Sequence, residues 1–366
     1  MLRRADRSTL AQWVTVINVG VIVYASLQPF SGWTPLPPQA RFFLWQWPQR
    51  VIVNDVLINV IGYLPFGAAL ALAWPTRWGR RRRWMLSVAA GAALSLAMES
   101  AQMWLPTRYA STVDVITNTL GTGLGAALGL LLTVPAGLGR AAQAMRERWV
   151  VPGATGELML ALLALWLLAQ INPAIPLFAA TYHPGQQAAL EPAVLVVELA
   201  QTASALIGIG LFTDLTMRRR SYGGFALVAV IALAVLMKLL AALALLKPLA
   251  WDEWLRPGHA LGLAGGAFAL MLLFWLPRRV KSVLAGIALL TGVLSTLLLP
   301  DFVTAKAPLS IFNWNFGHLL HLNGLTRTII LVWPFIATAV LLWRFGAMAE
   351  SAPKDRHRAA TPKMPS

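Results

Sequence analysis

Seven side chains able to carry charge or hold a polar ligand stand out in an otherwise apolar chain. Asp55 and Asn59 are four residues apart, on one face of any helix that contains them. Glu99 and Gln102 close one apolar stretch, Arg108 lies in the short connection after it, and Asp114 and Asn118 open the next. An isolated charge at the centre of a membrane helix costs about 2.5–3.5 kcal/mol on insertion scales, so such residues are not filler. The planar fork of Arg108 suits a carboxylate or a lipid phosphate. The carboxylates of Asp55, Glu99 and Asp114 can orient that fork, or act as acid and base if burial separates their proton affinities. The structural alternative is a helix cap by Asp114, where the dipole favours an anion, plus an ion pair to Arg108. The pattern defines a ligand-handling site and assigns no catalytic residue.

Lesser candidates lie further on. Glu198 and Gln201 repeat the E-x2-Q spacing of Glu99 and Gln102. VELAQ against MESAQ hints at a duplication, but no R-x5-D-x3-N follows. Lys238 stands in a later apolar stretch, as a structural partner for Glu198 or snorkelling to the surface. His318 and His321 are three apart in a long Asn- and Trp-rich segment with no carboxylate or cysteine to complete a metal set, so no metal is expected. That segment reads as an interfacial helix over the outer polar pocket, which Tyr182 and His183 could join. No P-loop, dinucleotide fingerprint, nucleophile elbow or HExxH is present, which argues against an ATP-driven pump or a kinase and gives no reason to expect a cofactor.

The elements that must position these residues are membrane helices. The chain is 58% hydrophobic and 12% charged, with mean hydropathy +0.65, too little charge for a soluble surface. Apolar stretches near 20 residues match the roughly 30 Å hydrocarbon layer. The 16 tryptophans suit its interfaces. With no cysteine, disulfides and thiolate chemistry are excluded. The expected fold is an all-α polytopic membrane protein of about ten spans, near residues 11–30, 54–74, 84–105, 114–134, 156–172, 190–213, 223–246, 259–276, 280–299 and 325–345. The first reads as an uncleaved span. Residues 31–55, with Phe42, Phe43, Trp45 and Trp47, read as an interfacial segment, with a plain loop as the alternative. The expected domains are 1–140, a six-helix extension over 150–346, and a disordered cytoplasmic tail over 347–366.

Ten spans with a cytoplasmic N-terminus put 22 of the 30 Lys and Arg residues inside and 7 outside, as the positive-inside rule requires. Basic loops therefore explain the net charge of +16 through topology and anionic lipid, and nucleic acid is not an expected partner. In this orientation Asp55, Glu99, Gln102, Arg108, Asp114 and Asn118 converge at the extracytoplasmic face, in a polar pocket walled by the second, third and fourth spans. Pro65 and Gly67 should interrupt the second span. Gly121, Gly125 and Gly129 make two overlapping GxxxG spacings, which imply close approach of a partner helix, within this chain or in another membrane protein.

The pattern N59-x5-P65-x-G67, then E99-x2-Q102-x5-R108-x5-D114-x3-N118-x2-G121-x3-G125, resembles the VanZ-like membrane family over about residues 12–135. The resemblance carries Asp55, Asn59, Pro65, Gly67, Glu99, Gln102, Arg108, Asp114, Asn118, Gly121 and Gly125; Thr112 departs where many members have serine or aspartate. The family is named for a component linked to teicoplanin resistance. It implies a cell-envelope role in the bacterial cytoplasmic (inner) membrane, linked to antibiotic tolerance, without specifying a reaction. The expected function is binding of an anionic lipid-linked or amphipathic ligand at the extracytoplasmic leaflet, with membrane lipids or an anionic lipid-linked glycan as partners. The alternatives are a proton-coupled transporter or flippase using Glu198, Lys238 and Asp214, a lipid-modifying enzyme, and a structural scaffold.

Overall fold

The computed structural model describes residues 8–39, 41–48, 50–133, 138–172, 192–245, 257–298 and 317–350. Eleven α-helices are described among them: α1 Thr9–Leu27, α2 Val53–Ala73, α3 Arg80–Gln102, α4 Thr112–Leu131, α5 Leu138–Trp149, α6 Ala154–Ala169, α7 Pro192–Thr216, α8 Arg220–Leu245, α9 Pro257–Leu273, α10 Arg278–Leu298 and α11 Gly317–Glu350. A 3-10 turn covers Phe43–Trp45. The described residues contain no β-strand, only an isolated bridge between Val150 and Met217. Six helices (α1, α2, α3, α7, α8 and the later part of α11) are long and apolar enough to cross a membrane by length and composition, and α6 and α9 are shorter apolar helices. This is the architecture of a polytopic membrane protein. Tyr182, His183 and the tail beyond Glu350 lie outside the described residues. His318 and His321 fall at the start of α11.

The chain forms two compact units. The first comprises Met1–Ala174, Thr216–Leu249 and Pro308–Ile330, and the second Ile175–Leu215, Ala250–Ala307 and Leu331–Ser366. In the first unit α2, α3 and α4 pack on one another, and α1 covers α2, α3 and α6.

Helix α3 is inside out relative to a helix of a soluble bundle. The buried positions of α3 are Arg83, Ser87, Gly91, Ser95, Glu99 and Gln102, a stripe at helical spacing made of small and polar residues. Trp84, Met85 and Leu96 are exposed. Small residues let backbones approach where there is no water to drive apolar collapse. The glycines of α4 show this directly. A methyl group built on Gly121 would collide with the carbonyl of Val60, one on Gly125 with that of Leu64, and one on Gly129 with that of Ala68. The register advances by one turn on each helix, so α2 and α4 run parallel along a glycine seam. Gly67 and Gly91 close on Thr122 from α2 and α3.

Pro65 does not interrupt α2, which is continuous from Val53 to Ala73. Its ring is on the exposed face. Arginine closes helix ends in both units. Arg83 donates from Nε and Nη2 to the carbonyl of Ala71, at 2.9 and 2.6 Å, near the end of α2. In the second unit Arg344 donates to the carbonyl of Leu215 at 2.6 Å, at the end of α7. Terminal carbonyls lack helical partners and carry the negative end of the dipole, so a guanidinium satisfies both demands.

Candidate functional site

The polar residues of α2, α3 and α4 gather at the end of the bundle where α1 and α3 finish and α4 begins. Glu99, 4% exposed, accepts a hydrogen bond at 2.8 Å from the backbone N–H of Ser111. Ser111 is the N-cap residue of α4 and offers no side-chain cap of its own. The carboxylate thus lies at the positive end of the α4 dipole.

Arg108 does the complementary job. Its Nη2 donates to the carbonyls of Ala25 and Gln28, at 2.6 and 3.1 Å, and Gln102 Nε2 donates to that of Ser26 at 3.0 Å. Together they satisfy the C-terminal turn of α1. Burial makes the Arg108 guanidinium release its proton more readily than usual, and the Glu99 charge opposes this. Arg108 and Glu99 are therefore close enough to interact. Their first duties in the fold are to helix ends, which the ligand-centred expectation for Arg108 did not include.

Deeper along the seam, Asn118 Nδ2 donates to Ser95 Oγ at 2.9 Å. Asn118 is 5% exposed, and its Oδ1 takes no hydrogen bond from any described residue. Tyr63, also buried, interacts with Ser95 and lies within electrostatic reach of Glu99 and Asp114, but its hydroxyl completes no bond of good geometry among the described residues. Asp114 is half-buried in the first turn of α4. Asp55 and Asn59 are half-buried on α2, two turns and one turn before Tyr63. The structure thus gathers Glu99, Gln102, Arg108, Asp114 and Asn118 at or just below one end of the bundle, with Asp55 and Asn59 on the flanking α2 segment.

Tyr63 and Ser95 are neighbours of the site that motif reasoning alone does not find. Spacing is the available signal. Asp55, Asn59, Tyr63 and Gly67 recur every fourth residue, as do Arg83, Ser87, Gly91, Ser95 and Glu99.

Two connections are tied down beside this end. Thr34 N–H donates to the Trp104 carbonyl at 2.9 Å, and Thr112 Oγ1 donates to the Phe43 carbonyl at 3.0 Å. Phe43 is buried, while Trp33, Trp45, Trp47, Trp104 and Tyr109 are exposed, Trp45 by 84% and Tyr109 by 90%. Exposed indoles and phenols of this kind suit the headgroup region of a bilayer.

The second unit has two polar clusters of its own. Asp214 on α7 and Lys281 on α10 form a fully buried ion pair, and Lys281 Nζ also donates to the Phe274 carbonyl at 3.2 Å. Glu198 on α7 faces His259 of α9, with Oε1 and Nε2 4.0 Å apart. Gln201 Nε2 donates to Ser295 Oγ at 3.1 Å. Lys238, in the first unit, donates to the Asn172 carbonyl at 3.2 Å. Among the described residues no cluster of three or more His, Cys, Asp or Glu side chains has the arrangement of a metal site.

Residues 5–133 match the VanZ/LLP1 family model. The N-terminal region is VanZ-like. The match covers α1 to α4, and with them the polar cluster at the end of the bundle, and it stops before α5. No curated protein and no solved structure matches the chain.

Proposed function

We propose that the VanZ-like region binds the headgroup of an amphipathic, lipid-linked ligand at the extracytoplasmic leaflet of a bacterial cytoplasmic membrane. The orientation follows the arginine distribution, which places both termini and the basic connections inside through ten spans. One observation carries the reading: acidic and hydrogen-bonding side chains of α2, α3 and α4 meet at the end of the bundle that bears the exposed Trp33, Trp45, Trp47, Trp104 and Tyr109. The aromatic side chains hold that end at the headgroup level, where a lipid-borne polar group is delivered by diffusion in two dimensions. Asp114 and Asp55, half-buried, form the entrance, and Glu99, Tyr63 and Asn118 lie beneath them. Arg108 contributes a cation for a phosphate or carboxylate on the ligand while its Nη2 holds α1. Gln102 is a positioning residue for α1.

The test compares lipids that co-purify with the full chain and with Asp114→Asn and Glu99→Gln, by native mass spectrometry. These near-isosteric changes leave the α1 contacts of Arg108 in place. Loss of a discrete bound species from Asp114→Asn, with insertion and melting temperature unchanged, is the expected result. Identical bound-lipid profiles for all three proteins overturn the proposal.

A further inference from the structure

We infer that the second unit carries a proton-exchange site formed by Glu198 and His259, separate from the VanZ-like region and independent of the ligand proposed there. Glu198 and His259 are each 4% exposed, and Thr202 is fully buried. Thr202 Oγ1 lies 2.7 Å from His259 Nδ1, and Nε2 on the opposite side of the ring faces Glu198 Oε1 at 4.0 Å. Glycine makes the approach possible. A Cβ on Gly258 would lie 2.6 Å from that of Glu198, and one on Gly262 would lie 2.7 Å from both the Leu199 carbonyl and Thr202 Cβ.

The arrangement suits a proton better than a metal ion. An alkali or alkaline-earth cation prefers a shell of oxygens. Here a ring nitrogen faces the carboxylate, and imidazole changes charge nearest neutral pH. The Thr202 hydroxyl can donate to Nδ1 or accept from it, so it follows the ring between protonation states. On loading, Nε2 takes one proton from water and the imidazolium stands against the Glu198 carboxylate. On unloading, the same proton leaves and the ring is neutral. The net change is one proton and one charge.

Among the described residues, the neutral Thr202 on α7 lies against the ring, and beside it Gln201 bonds Ser295 of α10. The other ionisable groups described in this unit lie at the far end of α7. Asp214 pairs there with Lys281, Arg278 interacts with Arg344, and Arg279 adjoins them on α10. Sixteen residues of helix separate Glu198 from Asp214, roughly 24 Å at 1.5 Å per residue. Buried Leu206 and Ile209 lie between. The pair therefore exchanges its proton from the end at which α7 and α9 begin.

The experiment titrates the full chain in nanodiscs with histidine labelled by 15N in the ring. The sequence has five histidines, and His259 is isolated by replacing His183, His318, His321 and His357. The His259 resonances should move between neutral and protonated positions across about pH 5–8. Glu198→Gln should shift that midpoint to lower pH by about one unit, a tenfold loss of proton affinity, because the facing anion is gone. Thr202→Val should change the ratio of ring tautomers. Circular dichroism reports whether each variant is folded. A His259 ring fixed in one state across the range, or a midpoint indifferent to Glu198→Gln in the folded protein, overturns the inference.

Discussion

Both units contain a parallel helix pair joined by a run of glycines, and they place charge around it differently. In the first unit Gly121, Gly125 and Gly129 of α4 ride on the carbonyls of Val60, Leu64 and Ala68. In the second, Gly258, Gly262 and Gly266 of α9 ride on α7 near Leu195, Leu199 and Ala203. Around its seam the first unit assigns charged groups to helix ends: Glu99 to the start of α4, Arg108 to the end of α1 and Arg83 to the end of α2, while its Arg146–Glu157 ion pair lies on α5 and α6, outside the seam. The second closes the end of α7 with Arg344 but sets the ionisable groups along α7 against other side chains, Asp214 with Lys281 and Glu198 with His259. A charge at a helix end has main-chain partners that no side-chain substitution removes. A charge matched to another depends on one residue. The seam of the second unit should therefore be more fragile to single charge deletions than the seam of the first.

Lys281→Met tests this most severely. It leaves Asp214 buried without its cation, and loss of one member of a buried pair costs about 3–5 kcal/mol. Asp214→Leu combined with Lys281→Met should recover most of that loss, because two apolar groups of similar volume need no partner. Both are read as the melting temperature of the detergent-solubilised protein. If Lys281→Met melts like the parent, the contrast between the units is wrong.

The seams come next. Gly125→Ala sets a methyl against the Leu64 carbonyl, which cannot turn aside, and should cost about 1–3 kcal/mol. Gly262→Ala meets the Leu199 carbonyl and the Thr202 side chain and should cost a similar amount. Gly265 faces open space, with nothing within 4 Å of the place a methyl would take, so Gly265→Ala should be neutral or slightly stabilising. Equal melting of all three variants would mean that neither seam is a tight contact.

Arg83→Lys should cost about 1–2 kcal/mol, since an ammonium cannot reproduce the two donations from Nε and Nη2 to Ala71. Arg82→Lys is its control. Arg82 is exposed and lies over the Trp78 ring at 4.4 Å, so its replacement should matter less. The pair separates an arginine that closes a helix from one that sits at the surface.

How legible these features are in the sequence depends on whether their signal is local. Hydropathy locates ten apolar segments, and each is helical in the structure. The GxxxG run of α4 is conspicuous among its charged neighbours, whereas Gly258, Gly262 and Gly266 have the same spacing with no other motif around them. The hairpin charges are visible as charges, but their partners are not. No pattern of side chains shows that Arg108 reaches the main chain of Ala25, because every residue offers a carbonyl. Arg83 is hidden in a run of four arginines that reads as a topology signal. The amphipathic α5 reads as part of an inner loop, since its twelve residues are too short and too charged for a span. The E-x2-Q repeat compares unlike places: Glu99 and Gln102 end α3, whereas Glu198 and Gln201 lie near the start of α7. It gives a duplication no geometric support.

The smallest expected effect sharpens the reading of the first unit. Ser95→Ala removes one hydroxyl, and Asn118→Ala removes a whole amide. Simple deletion would make the second the costlier. The hydrogen bonds reverse the order: Asn118 Nδ2 rests on Ser95 Oγ, and Oδ1 already lacks a donor among the described residues. Ser95→Ala leaves both ends of a buried amide unsatisfied, while Asn118→Ala leaves only a small hydroxyl that can turn to a carbonyl of its own helix. In lipid-stripped detergent Ser95→Ala should be the worse by about 0.6 kcal/mol, the scale of interhelical hydrogen bonds in membranes. Adding back membrane lipid should narrow or invert the difference if a ligand headgroup supplies the donor that Oδ1 lacks, because Asn118→Ala then forfeits that bond as well. A gap that is the same with and without lipid would confine Asn118 to holding α3 against α4.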